Sequence, residues 1–120
     1  MTRHWFYTAY AAFLGLSLGC SSFAPPHERL STTEAAVRAA SEVGAGEVPR
    51  ASLHLKLAQE QIDEAKQLMA DGRDEQADLA LRRAQADAEL AIMVAKEQKT
   101  LADVQATEEK FQKLKAQAQR

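Results

Sequence analysis

Aromatic residues are scarce in most of this chain, and so are cysteine, proline and glycine. The 120 residues include one cysteine, three prolines and five glycines, and five of the seven aromatic residues lie before position 14. After position 20 only Phe23 and Phe111 remain. Recognition of nucleic-acid bases or sugar rings relies on exposed aromatic faces, so this scarcity argues against both as ligands. The lone cysteine has no partner for an intramolecular disulfide.

An excess of charge of one sign is also lacking. The formal net charge is −2 at pH 7, although 27% of the residues are charged. So mild a balance excludes binding to a phosphate backbone through bulk charge, and we expect no nucleic-acid partner. The polar part of the chain is rich in alanine, which buries little area per residue. We therefore expect extended helices that pack on each other or on another protein.

Residues 1–19 have the layout of a bacterial signal peptide. Arg3 gives the amino end a positive charge, and an almost wholly apolar segment follows from Trp5 to Leu18. This segment is about 14 residues long, too short for the roughly 20 residues that a membrane-spanning helix needs. The pattern predicts an export signal that is removed from the mature protein.

The end of this segment, Leu16-Ser-Leu-Gly-Cys20, resembles the lipobox of bacterial lipoproteins. The resemblance implies that Cys20 carries lipid and becomes the mature amino terminus. The membrane is then a binding partner through this lipid, because two or three acyl chains anchor a protein stably. Ser21 stands where many Gram-negative lipoproteins retained at the inner membrane have Asp. This implies the periplasmic face of the outer membrane. The alternative is an ordinary secretory signal peptide followed by a chance cysteine.

Residues 20–31 are predicted to form a lipidated tether, and residues 32–120 an alanine-rich helical domain. The adjacent prolines Pro25 and Pro26 favour an extended path in the tether. Ser31-Thr-Thr-Glu34 matches a capping box, a hydroxyl followed three residues later by a carboxylate. It predicts a first short helix over about residues 33–43, which Gly44-Ala-Gly46 ends.

Two longer helices are predicted to follow as an antiparallel hairpin. Pro49 suits the first turn of a helix that runs to Ala70, and Asp71-Gly72 reads as the hairpin loop. The next helix runs from about Arg73 to about Gln117. Both helices carry apolar residues at steps of three and four, as an amphipathic helix does. These residues are Leu55, Ala58, Ile62, Ala65 and Met69, then Ala77, Leu81, Ala84, Ala88, Ala91 and Ala95. The predicted fold class is all-α, with a long, partly coiled-coil carboxy-terminal helix.

The last helix is predicted to extend well beyond its partner. An apolar seam continues along it, and Leu101, Val104 and Phe111 are the candidate partner-binding residues; Leu90, Val94 and Ala118 complete the seam. Thr100-Leu-Ala-Asp103 resembles a second capping box. A break near Thr100 is therefore the alternative to one continuous helix.

No pattern of residues predicts a catalytic, cofactor or metal site. His27 and His54 have no second histidine or cysteine at ligand spacing, so both are expected to be solvated. The acidic clusters are expected to form solvated faces, since acid–base chemistry needs a desolvated pocket. They comprise Glu60, Asp63, Glu64, Asp74, Glu75 and Asp78. We expect a protein that is not an enzyme and takes no cofactor, metal or small-molecule substrate.

The helical part resembles a bacterial family known as domain of unknown function 4398. The resemblance covers residues 32–96 and rests on Gly44-Ala-Gly46 with Pro49, on Leu57-Ala58 and Ala65, on Gly72 and on the segment Ala84–Ala91. Members are typically envelope proteins and often lipoproteins, which implies an envelope location. We expect an interaction or scaffold module that pairs with itself or with another envelope protein. The alternatives are a coiled-coil spacer without a specific client and an accessory subunit of an envelope enzyme or transporter.

Overall fold

A computed structural model describes residues 23–119, and all the regular structure in that range is helical. Helix α1 spans His27–Glu42, a 3₁₀ turn spans Ala45–Glu47, α2 spans Pro49–Ala70 and α3 spans Asp74–Ala118. The predicted all-α hairpin with a long last helix is confirmed. The predicted signal peptide and Cys20 lie outside the described residues. Between residues 23 and 119, no helix is long and apolar enough to cross a membrane.

Helix α1 begins earlier than the sequence predicts, inside the segment assigned to the tether. Its first residue is His27, directly after Pro26, and the predicted capping box lies within the helix. The start of α1 has no side-chain cap, and the hydroxyl of Thr33 donates to the carbonyl of Arg29 at 2.8 Å, one turn earlier in the same helix. Glu34, the expected carboxylate of the capping box, forms an ion pair of 2.8 Å with Lys66 of α2. The hydrogen bond that Lys66 donates to Glu34, partly opposed by desolvation, raises the pKa of Lys66.

Glycines in the left-handed conformation end α1 and α2. Gly44 has φ of 83° and Gly72 has φ of 70°. At the second site the amide of Gly72 donates to Met69, and that of Arg73 donates to the carbonyl of Leu68 at 2.8 Å. These two bonds form a Schellman motif, which satisfies the last carbonyls of α2 and turns the chain back toward α3. The predicted hairpin loop at Asp71-Gly72 is confirmed.

Small side chains form most of the bundle core. The predicted alanines and Leu81 of α3 are all buried, and they face Leu55, Ala58, Ile62 and Ala65 of α2. Leu68 replaces the predicted Met69, which is only half-buried. Alanine at these positions lets helix backbones approach closely. The core therefore gains from close packing of many short side chains rather than from large apolar ones.

Helix α1 lies alongside the hairpin and runs in the same direction as α3. Near its start, Arg29 contacts Asp78 in the second turn of α3, and near its end Ala40 packs in one cluster with Ala91 and Leu55. The amino end of α1 is therefore at the end of the bundle that carries the Gly72 loop. The carboxyl end of α3 points away from the opposite end.

Helix α3 is continuous through Thr100, so the alternative break there is wrong. It has 45 residues, about 68 Å at 1.5 Å per residue. The hydroxyl of Thr100 donates to the carbonyl of Lys96 at 3.0 Å, as it does inside a helix. The last buried residue of α3 is Ala95, and every residue from 96 to 118 is exposed. We call residues 96–118 the tail.

Candidate functional site

The tail carries large apolar side chains in water, and these form the candidate site. Leu101 is 51% exposed, Val104 60%, Phe111 58% and Leu114 65%. We call these four residues the tail stripe. Helix neighbours three or four residues apart lie on one side, and residues seven apart lie almost in line. The four side chains therefore form one continuous surface along about 20 Å of helix.

Three predicted members of this surface, Leu101, Val104 and Phe111, lie together on it as expected. Leu114 belongs to it as well, although the sequence interpretation omitted it. Its spacing of three residues after Phe111 is the signal that identifies it. Val94, by contrast, is 7% exposed and packs in the bundle core with Ala91 and Ala95, so the seam does not include it.

Exposed leucines continue from the tail onto the surface of the bundle. Leu79, Leu90 and Leu101 are spaced by eleven residues, which is three helical turns, so they lie close to one line along α3. Their exposed fractions are 55%, 37% and 51%. Leu101 also borders an open groove of about 410 Å³ at the end of the bundle, lined by Val48, Pro49 and Val94 among others.

A buried carboxylate ties α1 to α3 on the other side of the bundle. Asp78 is only 7% exposed, so its expected place on a solvated face is wrong. Arg29 of α1 donates to one of its oxygens, and Arg82 donates to the other at 2.7 Å. Burial opposes ionisation, but the hydrogen bonds from Arg82 and Arg29 outweigh it and hold the pKa of Asp78 below its usual value. The arrangement gives both oxygens of the buried carboxylate a partner and joins α1 to α3.

A family profile described as a domain of unknown function, DUF4398, matches residues 28–107. The chain belongs to the DUF4398 family. The match is longer at both ends than the resemblance over residues 32–96, and it covers most of α1, all of α2 and α3 as far as Thr107. The DUF4398 region thus contains the bundle with Leu101 and Val104, whereas Phe111 and Leu114 follow it. No curated protein and no solved structure was found to match.

A second polar cluster in the DUF4398 bundle joins α2 to α3. Nδ1 of His54 lies 2.9 Å from Oδ1 of Asp87, and the side-chain amide of Gln61 donates to Oδ2 of the same carboxylate at 2.9 Å. His54 is half-buried, so the prediction that it is solvated is wrong, whereas His27 is exposed as expected. Both partners of Asp87 belong to α2, so this carboxylate joins α3 to α2 and fixes the register between the two helices.

Metal-binding geometry is missing from the described part of this DUF4398 chain. No group of three or more His, Cys, Asp or Glu side chains between residues 23 and 119 is placed to hold an ion. The ionisable clusters found there, around Asp78 and Asp87, are occupied by partners within the bundle. Among the exposed large apolar side chains of residues 23–119, the four of the tail stripe share one side of α3 beyond the last buried residue of the bundle.

Proposed function

We propose that this chain is a lipid-anchored protein of the periplasmic face of the outer membrane and acts as a non-enzymatic interaction module of the cell envelope. The observation that carries the proposal is the tail stripe, four large apolar side chains that are each more than half exposed. Contiguous exposed apolar surface on an otherwise polar helix marks a binding surface. Full burial of such a side chain contributes about 1.5–3 kcal/mol.

The direction of the helices supports an anchor at one end and a binding surface at the other. Residue 27 lies at the loop end of the bundle, and the tail leaves the opposite end. Residues 20–26, fully extended, span at most about 25 Å. Lipid on Cys20 would then hold the loop end near the membrane and direct the tail stripe away from it.

A spacer without a specific client is the second candidate, and the continuous α3 favours it. A single helix of 45 residues is a semi-rigid rod. A coiled-coil spacer would use the tail stripe only to pair with copies of itself, whereas an interaction module would also bind another envelope protein. The two candidates therefore differ in whether other proteins accompany the chain, because a spacer should self-associate without them.

The anchor is tested by the intact mass of the chain extracted from membranes, with and without an inhibitor of the lipoprotein signal peptidase. We expect a mature chain that begins at acylated Cys20, and accumulation of the uncleaved precursor under inhibitor. Cys20→Ser is the matched control and should abolish both the added mass and the response to inhibitor. An unmodified chain cut at another position would contradict lipid anchoring.

The interaction surface is tested by Phe111→Asp, with Ala106→Asp as the matched control. Both residues are exposed on the tail, but Ala106 lies on the side away from the tail stripe. After chemical crosslinking in intact cells, Phe111→Asp should lose the crosslinked species of the wild-type chain, and Ala106→Asp should keep them. Equal crosslinking by all three chains would refute a role for the stripe, whereas crosslinked species that contain only this chain would favour the spacer.

A further inference from the structure

Helix α1 contributes little to the core of the bundle. Two of its 16 residues, Thr33 and Ala40, are buried, whereas α2 buries six of its 22 residues. The larger apolar side chains of α1, Leu30 and Val37, are half-buried where they pack against the core. Because hydrophobic stabilisation grows with the apolar area removed from water, α1 gains less from the core than the two helices of the hairpin do.

Two ion pairs also hold α1 against the hairpin, and they differ in burial. Glu34 lies 2.8 Å from Lys66 of α2, and these side chains are 37% and 48% exposed, so water screens their attraction. Arg29 contacts Asp78 of α3, whose side chain is only 10% exposed. A buried carboxylate depends on its hydrogen-bond donors, so the contact of Arg29 with Asp78 is the strongest polar attachment of α1.

Helix α1 is also a weak helix by itself. Its start has no side-chain cap, and it contains Ser and Thr at positions 31, 32, 33 and 41. These residue types have low helix propensity. Even alanine-rich helices of about 15 residues are marginal in water without tertiary contacts. Once detached from the hairpin, α1 therefore loses its helical hydrogen bonds.

Helices α2 and α3 are joined by contacts in which α1 takes no part. The turn at Gly72 connects them, and His54 of α2 contacts Asp87 of α3. The break between α1 and this hairpin lies at Gly44, which has φ of 83°. The next residue, Ala45, is 0% exposed and lies in a core cluster with residues of α2 and α3. The chain therefore divides at Gly44 into α1 and a hairpin unit.

We propose that α1 is a strap that detaches from the hairpin as a unit, while α2 and α3 remain packed together. Units with few buried contacts open at a lower free energy than the whole molecule. Release itself does not depend on the proposed function, but its consequence rests on the lipid anchor. Residues 20–26 span at most about 25 Å, and residues 20–44 at most about 90 Å, so release would let the tail stripe move farther from the membrane. A chain without lipid on Cys20 would lose this consequence and keep the strap.

The test is hydrogen exchange of the full-length chain in mild detergent, followed by mass spectrometry of its peptides. We expect amides of residues 31–42 to be protected at least about tenfold less than those of residues 55–65 in α2 and 77–91 in α3. All three segments are helical throughout, so helical hydrogen bonding alone does not produce the difference. Equal protection of the three segments would show a single cooperative unit and overturn the inference.

Arg29→Gln, with Arg38→Gln as the matched control, tests the contact that holds the strap. Arg29 donates to the buried Asp78, whereas Arg38 is an exposed arginine of the same helix. Arg29→Gln should accelerate exchange in residues 31–42 by about tenfold and leave α2 and α3 unchanged, and Arg38→Gln should leave all three helices as they are in the wild-type chain.

Two results with these variants would overturn the inference. Equal acceleration in all three helices of the Arg29→Gln chain would show that α1 detaches only when the hairpin unfolds. Unchanged exchange of α1 in that chain would show that the contact with Asp78 does not hold the strap. Both results are independent of the intact mass that tests the lipid anchor and of the crosslinking that tests the tail stripe.

Discussion

Replacing Leu81 by alanine tests how a core built mainly of alanine holds the bundle together. Leu81 is 0% exposed and lies in one cluster with Ile62 and Leu68 of α2 and with several alanines. Buried Leu→Ala substitutions cost about 2.7–5 kcal/mol, and the cost rises with the cavity that remains. Its short neighbours have little side chain with which to fill the space, so we expect a loss of about 3–4 kcal/mol.

The matched control is Leu79→Ala, the same change two residues earlier on the same helix. Leu79 is 55% exposed, so its truncation should cost less than about 1 kcal/mol. Urea unfolding followed by far-UV circular dichroism measures the difference. In thermal melts, the midpoint of the Leu81 variant should fall by about 12–32 °C, at 4–8 °C per kcal/mol for a domain of this size. Equal losses for the two variants, or a loss below about 1 kcal/mol at Leu81, would refute the assigned core.

Three further predictions concern the buried acid, the hairpin turn and the tail. Because the pKa of Asp78 is lowered on folding, its contribution to stability is complete above about pH 4 and is lost as the pH falls through the folded pKa. Asp78→Asn should therefore lower the free energy of unfolding by about 1–3 kcal/mol at pH 7. Urea unfolding at several pH values should also show a smaller loss of stability on acidification in the variant than in the wild-type chain. The same loss in both chains would contradict this assignment. Gly72→Ala should lower the free energy of unfolding by about 1–2 kcal/mol, because φ at this position is 70°. Gly46 has neither a positive φ nor a close neighbour, so Gly46→Ala should be nearly neutral. Equal melting temperatures for the two variants would rule out backbone strain at the turn. Deleting residues 103–120 removes no residue known to be buried, so thermal melts should show the bundle unchanged, and a large loss of stability would show that the tail supports the fold.

The sequence predicts most of this fold because its signals are local. Apolar steps of three and four identify the facing sides of α2 and α3, and Asp71-Gly72 between two helical patterns identifies the hairpin. The start of α1 could not be predicted in the same way. Ser31-Thr-Thr-Glu34 has the residues of a capping box, but the contact of Arg29 with Asp78 and the packing of Leu30 favour an earlier start. Such contacts depend on which helices meet.

The candidate site was predictable in outline, and the polar clusters were not. An apolar seam beyond the end of α2 follows from the different lengths of α2 and α3, so Leu101, Val104 and Phe111 could be named from the sequence. Burial of Asp78 and the contact of His54 with Asp87 join residues that are far apart along the chain. Acidic residues at these positions have the same local pattern as those on a solvated face, and only the packing of the helices distinguishes them.

The most direct test of the tail as a binding surface is photo-crosslinking in living cells from a reactive residue at position 104 or position 106. Val104 lies in the tail stripe, and Ala106 lies two residues away on the other side of the same exposed helix. We predict specific adducts from position 104 and none from position 106. Adducts of equal yield from both positions, or none from position 104, would contradict the proposal that the stripe binds a partner.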